Sequence, residues 1–300
     1  ILLQCAFTSF LLSVFCNSFP QNTTTDNILK LKEIVYTLSA DSMIGRSAGG
    51  EGEIIARTFL LKFFQETGLS PFEGTYFQEF TFPKDSSHLD TAYNVYGYID
   101  NKSDSTIVVG AHYDHIGFGG PKSRSLANNK VHNGADDNAS GVAMMLLLAE
   151  NFSKSEIQKY NFLFIAFSAH EDGLFGSFAF VKGKKHALSN VKLMINMDMV
   201  GRLDTIEPFL KVIRKDSNVY FDSLLSKIDH QKFRLLFTDN NISHTDASVF
   251  AKQNIPTLSF TTGMHDDYHK VSDDPEKINY DGMCEISNYI ISLLVELNRP

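Results

Sequence analysis

Four stretches of the chain leave little freedom in its architecture: "STIVVGA" (105–111), "YNFLFIAFS" (160–168), "KLMINMDMV" (192–200) and "IPTLSFTTG" (255–263). Each is a short, near-continuous apolar run, not the alternation of a strand with one wet face, so each reads as a strand covered on both sides. Helical stretches separate them, at 138–152, 173–182, 216–229, 244–253 and 276–297. Buried strands alternating with helices predict an α/β fold, a three-layer α/β/α sandwich with a mixed, centrally parallel β-sheet. Upstream, 28–39 and 51–67 carry helical periodicity, with Ile54, Ile55, Phe59, Leu60, Phe63 and Phe64 on one broad face. "GTYFQEFTF" and "AYNVYGYI" alternate and are aromatic-rich, as expected of antiparallel strands toward a sheet edge.

No linker splits residues 19–300, which are expected to form a single domain. Hydrophobic content of 43% against 21% charged residues suffices for a sizeable core. A net charge of −8 without a long basic run argues against nucleic acid as a partner. Before the first charged residue, Asp26, lies "ILLQCAFTSFLLSVFCNSF". Residues 1–18 read as an N-terminally incomplete export signal, with small residues Cys16 and Ser18 where a signal peptidase wants them. A retained anchor is the alternative. The expected location is outside the cytoplasm, periplasmic or extracellular, with no stable membrane association after cleavage. Only Cys284 lies outside that segment, so no internal disulfide is expected. Sequons occur at Asn22, Asn101, Asn138, Asn151 and Asn241; the one at Asn138 is read as accidental.

Ligands of such sheets gather beyond the carboxyl ends of the central strands. There the sequence is rich in chemistry. The first run is followed by His112-Tyr113-Asp114, the second by His170-Glu171-Asp172, the third contains Asp198, and the fourth leads to His265, Asp266, Asp267 and His269. Asp136-Asp137 precedes the helix at 138. Taken singly, an Asp before a helix is more often an N-cap, and a His at a strand end a surface residue. Five loops delivering imidazoles and carboxylates to one edge point instead to a metal centre. A His/carboxylate set without cysteine favours zinc or a similar divalent ion.

"GAHYDHIG", "NGADDNASGVA", "AHEDGLFGS", "NMDMVGR" and "DYHKVSDDPEKIN" resemble, in order and spacing, the five motifs of the two-zinc aminopeptidases. That family includes bacterial leucyl aminopeptidases, aminopeptidase Y and glutamate carboxypeptidases, with glutaminyl cyclases as more distant relatives. The resemblance runs from "LSADSMIGR" to the C-terminal helix. It implies two Zn2+ per chain, with Asp137 bridging them, His112 and Asp198 completing one site and Glu171 and His269 the other. It also implies that Asp114 supports His112 and that peptides are the substrates. Tyr268 matches a residue that hydrogen-bonds the reaction intermediate in some relatives; a packed loop tyrosine is the other reading. Asp246, in "HTDASVF", aligns with a family aspartate, and its role stays open. Three carboxylates against two divalent ions leave a balance that one bound hydroxide would close.

One departure stands out. Relatives carry two consecutive glutamates before Gly-Leu-x-Gly-Ser, the first as catalytic base and the second as ligand. On that resemblance Glu171 would be the ligand here, and His170 would hold the base position. Imidazole is a competent general base near neutrality. The expected function is therefore a metal-dependent exopeptidase removing N-terminal residues. The alternatives are a catalytically weak metal-binding pseudo-peptidase that binds peptides or amines and, further off, a glutaminyl-cyclase-like acyltransferase.

Overall fold

The computed structural model describes residues 23–84, 87–126, 129–157, 159–215, 219–228, 231–238 and 244–299. The proposed export signal and the sequons at Asn22 and Asn241 lie outside these residues.

An eight-stranded mixed sheet runs through the molecule. Its strands are β1 (Phe77–Pro83), β2 (Leu89–Ile99), β3 (Thr106–His112), β4 (Asn161–Phe167), β5 (Val191–Met197), β6 (Phe209–Ile213), β7 (Arg234–Thr238) and β8 (Thr257–Thr261), in spatial order β1-β2-β4-β3-β5-β8-β6-β7. The four apolar runs form the parallel centre β4-β3-β5-β8. β1 and β2 are antiparallel to each other, and β2 is antiparallel to β4. At the other edge β6 runs antiparallel to β8 and parallel to β7. Every residue of β3 and β4 is buried. Alternate residues of these strands belong to different cores: Ile107 and Val109 on one face with Phe162 and Phe164, Val108 on the other with Leu163 and Ile165.

Helices cover both faces. α1 (Thr24–Leu38), α2 (Glu51–Glu66), α3 (Gly141–Ser153), α6 (Val219–Lys227) and α8 (Tyr280–Leu297) lie on one side. α4 (Phe175–Gly183), the single turn α5 (Lys185–Leu188) and α7 (Ala247–Ala251) lie on the other. α1 starts with a capping box, Thr23 and Asp26 each accepting the other's backbone N–H. α3 is buried along nearly its whole length, which explains why "GVAMMLLLAENF" has no polar face. Asn138 is fully buried and Asn151 lies on α3 at 7% exposure, so neither sequon offers an accessible amide.

The helix expected from 138 begins at Gly141; residues Ala135–Ser140 form a π-type turn in which Asp137 and Asn138 leave helical dihedrals. Two short strands, β6 and β7, were not expected from the sequence. Each is five residues long and carries Lys211 or Arg234 among its apolar positions, too short a pattern to separate from loop.

Arg46 ties the N-terminal segment to the centre of the fold. It is 1% exposed and donates to the carbonyls of Tyr113 (2.8 Å), Asn133 (2.8 Å), Gly134 (3.0 Å) and Leu38. Burial draws its pKa down to about 10, while the charges of Asp137, Asp114, Asp273 and Glu171 oppose the fall. Replacing it strands several buried carbonyls, each costing about 1–3 kcal/mol. Arg46→Met should lower the unfolding free energy by ~3 kcal/mol or more, read from denaturant titration. A loss below ~1 kcal/mol would show that those carbonyls find other partners.

Candidate metal centre

The central strands finish level with one another: His112 closes β3 opposite Phe167, and Asp198 follows β5 with its N–H donated to the Phe260 carbonyl. Three chain reversals past these ends use left-handed backbone at non-glycine residues, Ala169 (φ 53°), Met199 (φ 56°) and His269 (φ 56°). Such conformations are uncommon away from glycine and persist where surrounding structure fixes them. Asp114 does part of that fixing, accepting the N–H groups of His170 (3.1 Å) and Glu171 (3.2 Å). Asp273 accepts those of Asp136 (2.9 Å) and Asp137 (3.0 Å). Asn138 joins strand ends, its amide donating to Met197 O at 3.0 Å and accepting from Met199 N–H at 3.1 Å.

These constraints bring the five expected ligands together. Asp137 faces two ways: Oδ1 lies 3.4 Å from His112 Nε2 and Oδ2 lies 3.2 Å from His269 Nε2. His112 Nε2 is also 3.6 Å from Asp198 Oδ1, and His269 Nε2 is 3.1 Å from Glu171 Oε1. The second ring nitrogens are held from behind. His112 Nδ1 lies 3.1 Å from the backbone carbonyl of Asp114, whose carboxylate is at 3.7 Å, and His269 Nδ1 lies 3.0 Å from the Lys122 carbonyl. Those contacts put the proton on Nδ1 and turn a lone pair at Nε2 toward the carboxylates, the usual preparation of a ligating histidine. Both His112 Nε2 and Asp137 Oδ2 are buried without a hydrogen bond. Buried polar atoms of that kind call for a partner, and this donor set fits a divalent ion.

Electrostatics agree. Burial alone would discourage a charged His112, yet the carboxylates of Asp114, Asp137 and Asp198 raise its pKa well above the ordinary value. His269 is pushed up to about 10, Asp137 and Glu171 overcoming the effect of burial. The site thus attracts positive charge strongly.

Two further histidines join the cluster. His115 is 1% exposed, with Nδ1 3.2 Å from Glu171 Oε1 and 3.8 Å from Asp137 Oδ2. His170 stacks on His112, ring centroids 3.8 Å apart, and its Nδ1 lies 2.9 Å from Oδ2 of the buried Asp246. Burial and the neighbouring His112 lower the His170 pKa, but Asp246 and Asp198 carry it to about 9. A cavity of about 400 Å³ opens over Asp137, His170, Glu171, Asp198 and Tyr268. Tyr268 stacks on His269 at 3.9 Å and lies under the Arg124 guanidinium at 4.7 Å, so it is packed and cavity-lining at once.

All eight residues singled out from the sequence meet here. Asp136 lies behind them, its Oδ2 3.1 Å from His265 Nε2 and its Oδ1 accepting the Gly201 N–H. Asp172 is engaged by Lys122 and Lys84. Sequence reasoning passed over His115, although it stands three residues after His112 in the same motif, and left Asp246 without a role.

The family model described as Peptidase family M28 matches residues 94–294, more than half of the chain. The chain belongs to peptidase family M28. It is similar to a "Probable zinc metalloprotease" of Phaeosphaeria nodorum, 31% identical over 182 residues, 55% of this chain and 35% of that one. It is also similar to a "Probable leucine aminopeptidase" of Arthroderma otae, 35% identical over 121 residues, 39% of this chain and 31% of that one. The chain spans about a third of the length of these curated relatives. Its fold matches that of a Zn-dependent exopeptidase from Parabacteroides distasonis, with a TM-score of 0.74 at 16% identity, covering 94% of this chain and all of that one. The same fold carries solved glutaminyl cyclases.

Asp246 sets the His170 titration. Its anion favours imidazolium, so Asp246→Asn should lower the His170 pKa from about 9 by ~1 unit or more, as burial and His112 remain. Imidazole resonances followed by NMR in the metal-free protein measure this. An unchanged or raised value would remove Asp246 as the cause.

Proposed function

We propose that this M28 chain is a metal-dependent exopeptidase that removes N-terminal residues from peptides. In this reading His112, Asp137 and Asp198 hold one zinc-like ion, and Asp137, Glu171 and His269 hold a second. The observation that carries it is the two-sided carboxylate of Asp137, with Oδ1 3.4 Å from one ligand histidine and Oδ2 3.2 Å from the other. The relatives named "Probable zinc metalloprotease" and "Probable leucine aminopeptidase" support the same direction.

Paired divalent ions supply a polarised carbonyl and a water of lowered pKa when bound. The remaining work falls to the chain. Asp246 holds the Nδ1 proton of His170, leaving Nε2 as the nitrogen able to take a proton from the attacking water and pass it to the leaving amine. Cations beside His170 disfavour imidazolium, drawing its pKa below the value that Asp246 alone would set. Burial and the charges of Asp137, Glu171 and Asp198 push the Tyr268 pKa upward, so its hydroxyl stays protonated and can donate to the substrate carbonyl. Met199, Ile213 and Met264 give the cavity an apolar wall suited to a substrate side chain. Residues 1–18 are proposed to direct export, which would place the activity outside the cytoplasm.

The test is hydrolysis of aminoacyl anilides and short peptides by the zinc-loaded protein. His170→Ala should lower kcat by ~10²–10⁴-fold with metal content unchanged, and His170→Glu should retain or exceed the native rate. A nearly inactive native protein that gains activity as His170→Glu would favour a metal-binding pseudo-peptidase. Cyclised product from N-terminal glutamine, without release of free residues, would favour acyl transfer. Full activity in His170→Ala would remove His170 from the chemistry.

A further inference from the structure

We propose that Lys211 selects the residue to be released and that this residue is acidic, so that the substrates are peptides beginning with glutamate or aspartate; this rests on the exopeptidase reading above. β6 and β8 pair antiparallel, with Lys211 opposite Thr261 and Ile213 opposite Ser259. Residues two apart on a strand face the same way. All four line the cavity, together with Met199 and Met264. This is the wall whose apolar members suit a substrate side chain, and Lys211 is its one charged member. Lys211 is half-buried, and its Nζ lies 3.7 Å from where a Cβ at Gly263 would stand. Gly263 (φ 96°) follows the end of β8, on the path toward Tyr268 and His269. The ammonium therefore lies at the end of the strand nearer the candidate metal centre. Among the described residues it has no hydrogen bond and no ion pair.

Charge decides what such a wall prefers. The carboxylates that line the cavity, Asp137, Glu171 and Asp198, belong to the candidate metal centre, where two divalent ions and a hydroxide would balance them. Lys211 is then left without a counter-charge. Arg124 adds a second cation at the rim: its guanidinium lies over Tyr268, and no carboxylate pairs with it among the described residues. A neutral side chain entering here would strip water from the ammonium and return nothing. A glutamate can lay its methylenes along Ile213 and Met264 and set its carboxylate against Lys211, a charge-assisted contact. The plain rival is a lysine that keeps its ammonium in water, the usual habit of a long cationic side chain.

Glutamyl and glutaminyl anilides, which differ in charge and hardly in shape, separate the two. The zinc-loaded native protein should favour the glutamyl anilide by ~10–100-fold in kcat/KM. Most of that should appear in KM, because the carboxylate is held in ground and transition states alike. Lys211→Met should bring the ratio to about one, and Lys211→Glu should reverse it in favour of a lysyl anilide. Each ratio is taken within one protein, so a partly misfolded variant still gives a reading. Equal rates in the native protein, or a preference that survives Lys211→Met, would overturn the proposal. So would faster cleavage of Leu-Gly than of its amide with the two anilides equal, since the cation would then read the carboxyl end of the leaving group. A native protein that cleaves no anilide or peptide would overturn the exopeptidase reading instead. Calorimetry with uncleaved Glu-Gly and Gln-Gly would then judge Lys211: tighter Glu-Gly binding lost in Lys211→Met upholds its selectivity, and equal binding overturns it.

Discussion

The carboxylates of Asp137, Glu171 and Asp198 are gathered around two imidazoles, and that convergence governs the rest of the molecule. Like charges about 4 Å apart repel by ~4 kcal/mol at an effective dielectric of 20. An arrangement of this kind costs stability unless cations fill it or neighbours protonate. The raised pKa values of His112 and His269 record the demand for positive charge. Asp137 sits at the focus because its two oxygens address different histidines.

Such a site needs a scaffold that does not relax. Arg46, Asp114, Asn138 and Asp273 provide it, and each binds backbone. Arg46 gathers carbonyls from three segments, Asp114 and Asp273 collect pairs of N–H groups at the ligand loops, and Asn138 joins the ends of β5 and its successor loop. Left-handed residues beside the ligands aim the side chains at angles regular elements would not give. The parallel centre of the sheet sets the ends level, and the loops convert that alignment into coordination geometry.

The sheet centre was legible because β3, β4, β5 and β8 are buried on both faces, and burial writes itself as uninterrupted apolar sequence. The candidate ligands were legible because His112, Glu171 and His269 come after those runs, Asp198 lies in the tail of one, and Asp137 stands before the helix expected from 138. β6 and β7 escaped notice as five-residue strands near the edge, where partial exposure blurs the pattern. Asp246 could be flagged from "HTDASVF" but not paired, since 76 positions separate it from His170 and only the folded sheet brings them to 2.9 Å. His115 was hidden by its proximity to His112: one short loop sets one imidazole against Asp198 and the other against Glu171, which linear spacing does not reveal. The partner of His112 shows a similar limit, for the nearer acceptor is the Asp114 carbonyl and not its carboxylate.

The most direct test of this account is the zinc content of the purified chain at saturating metal, compared with that of Asp137→Ala. A carboxylate shared between two ions predicts about two zinc per native chain and the loss of more than one on this single substitution. Native protein without zinc, or an Asp137→Ala protein that still holds both ions, would contradict it.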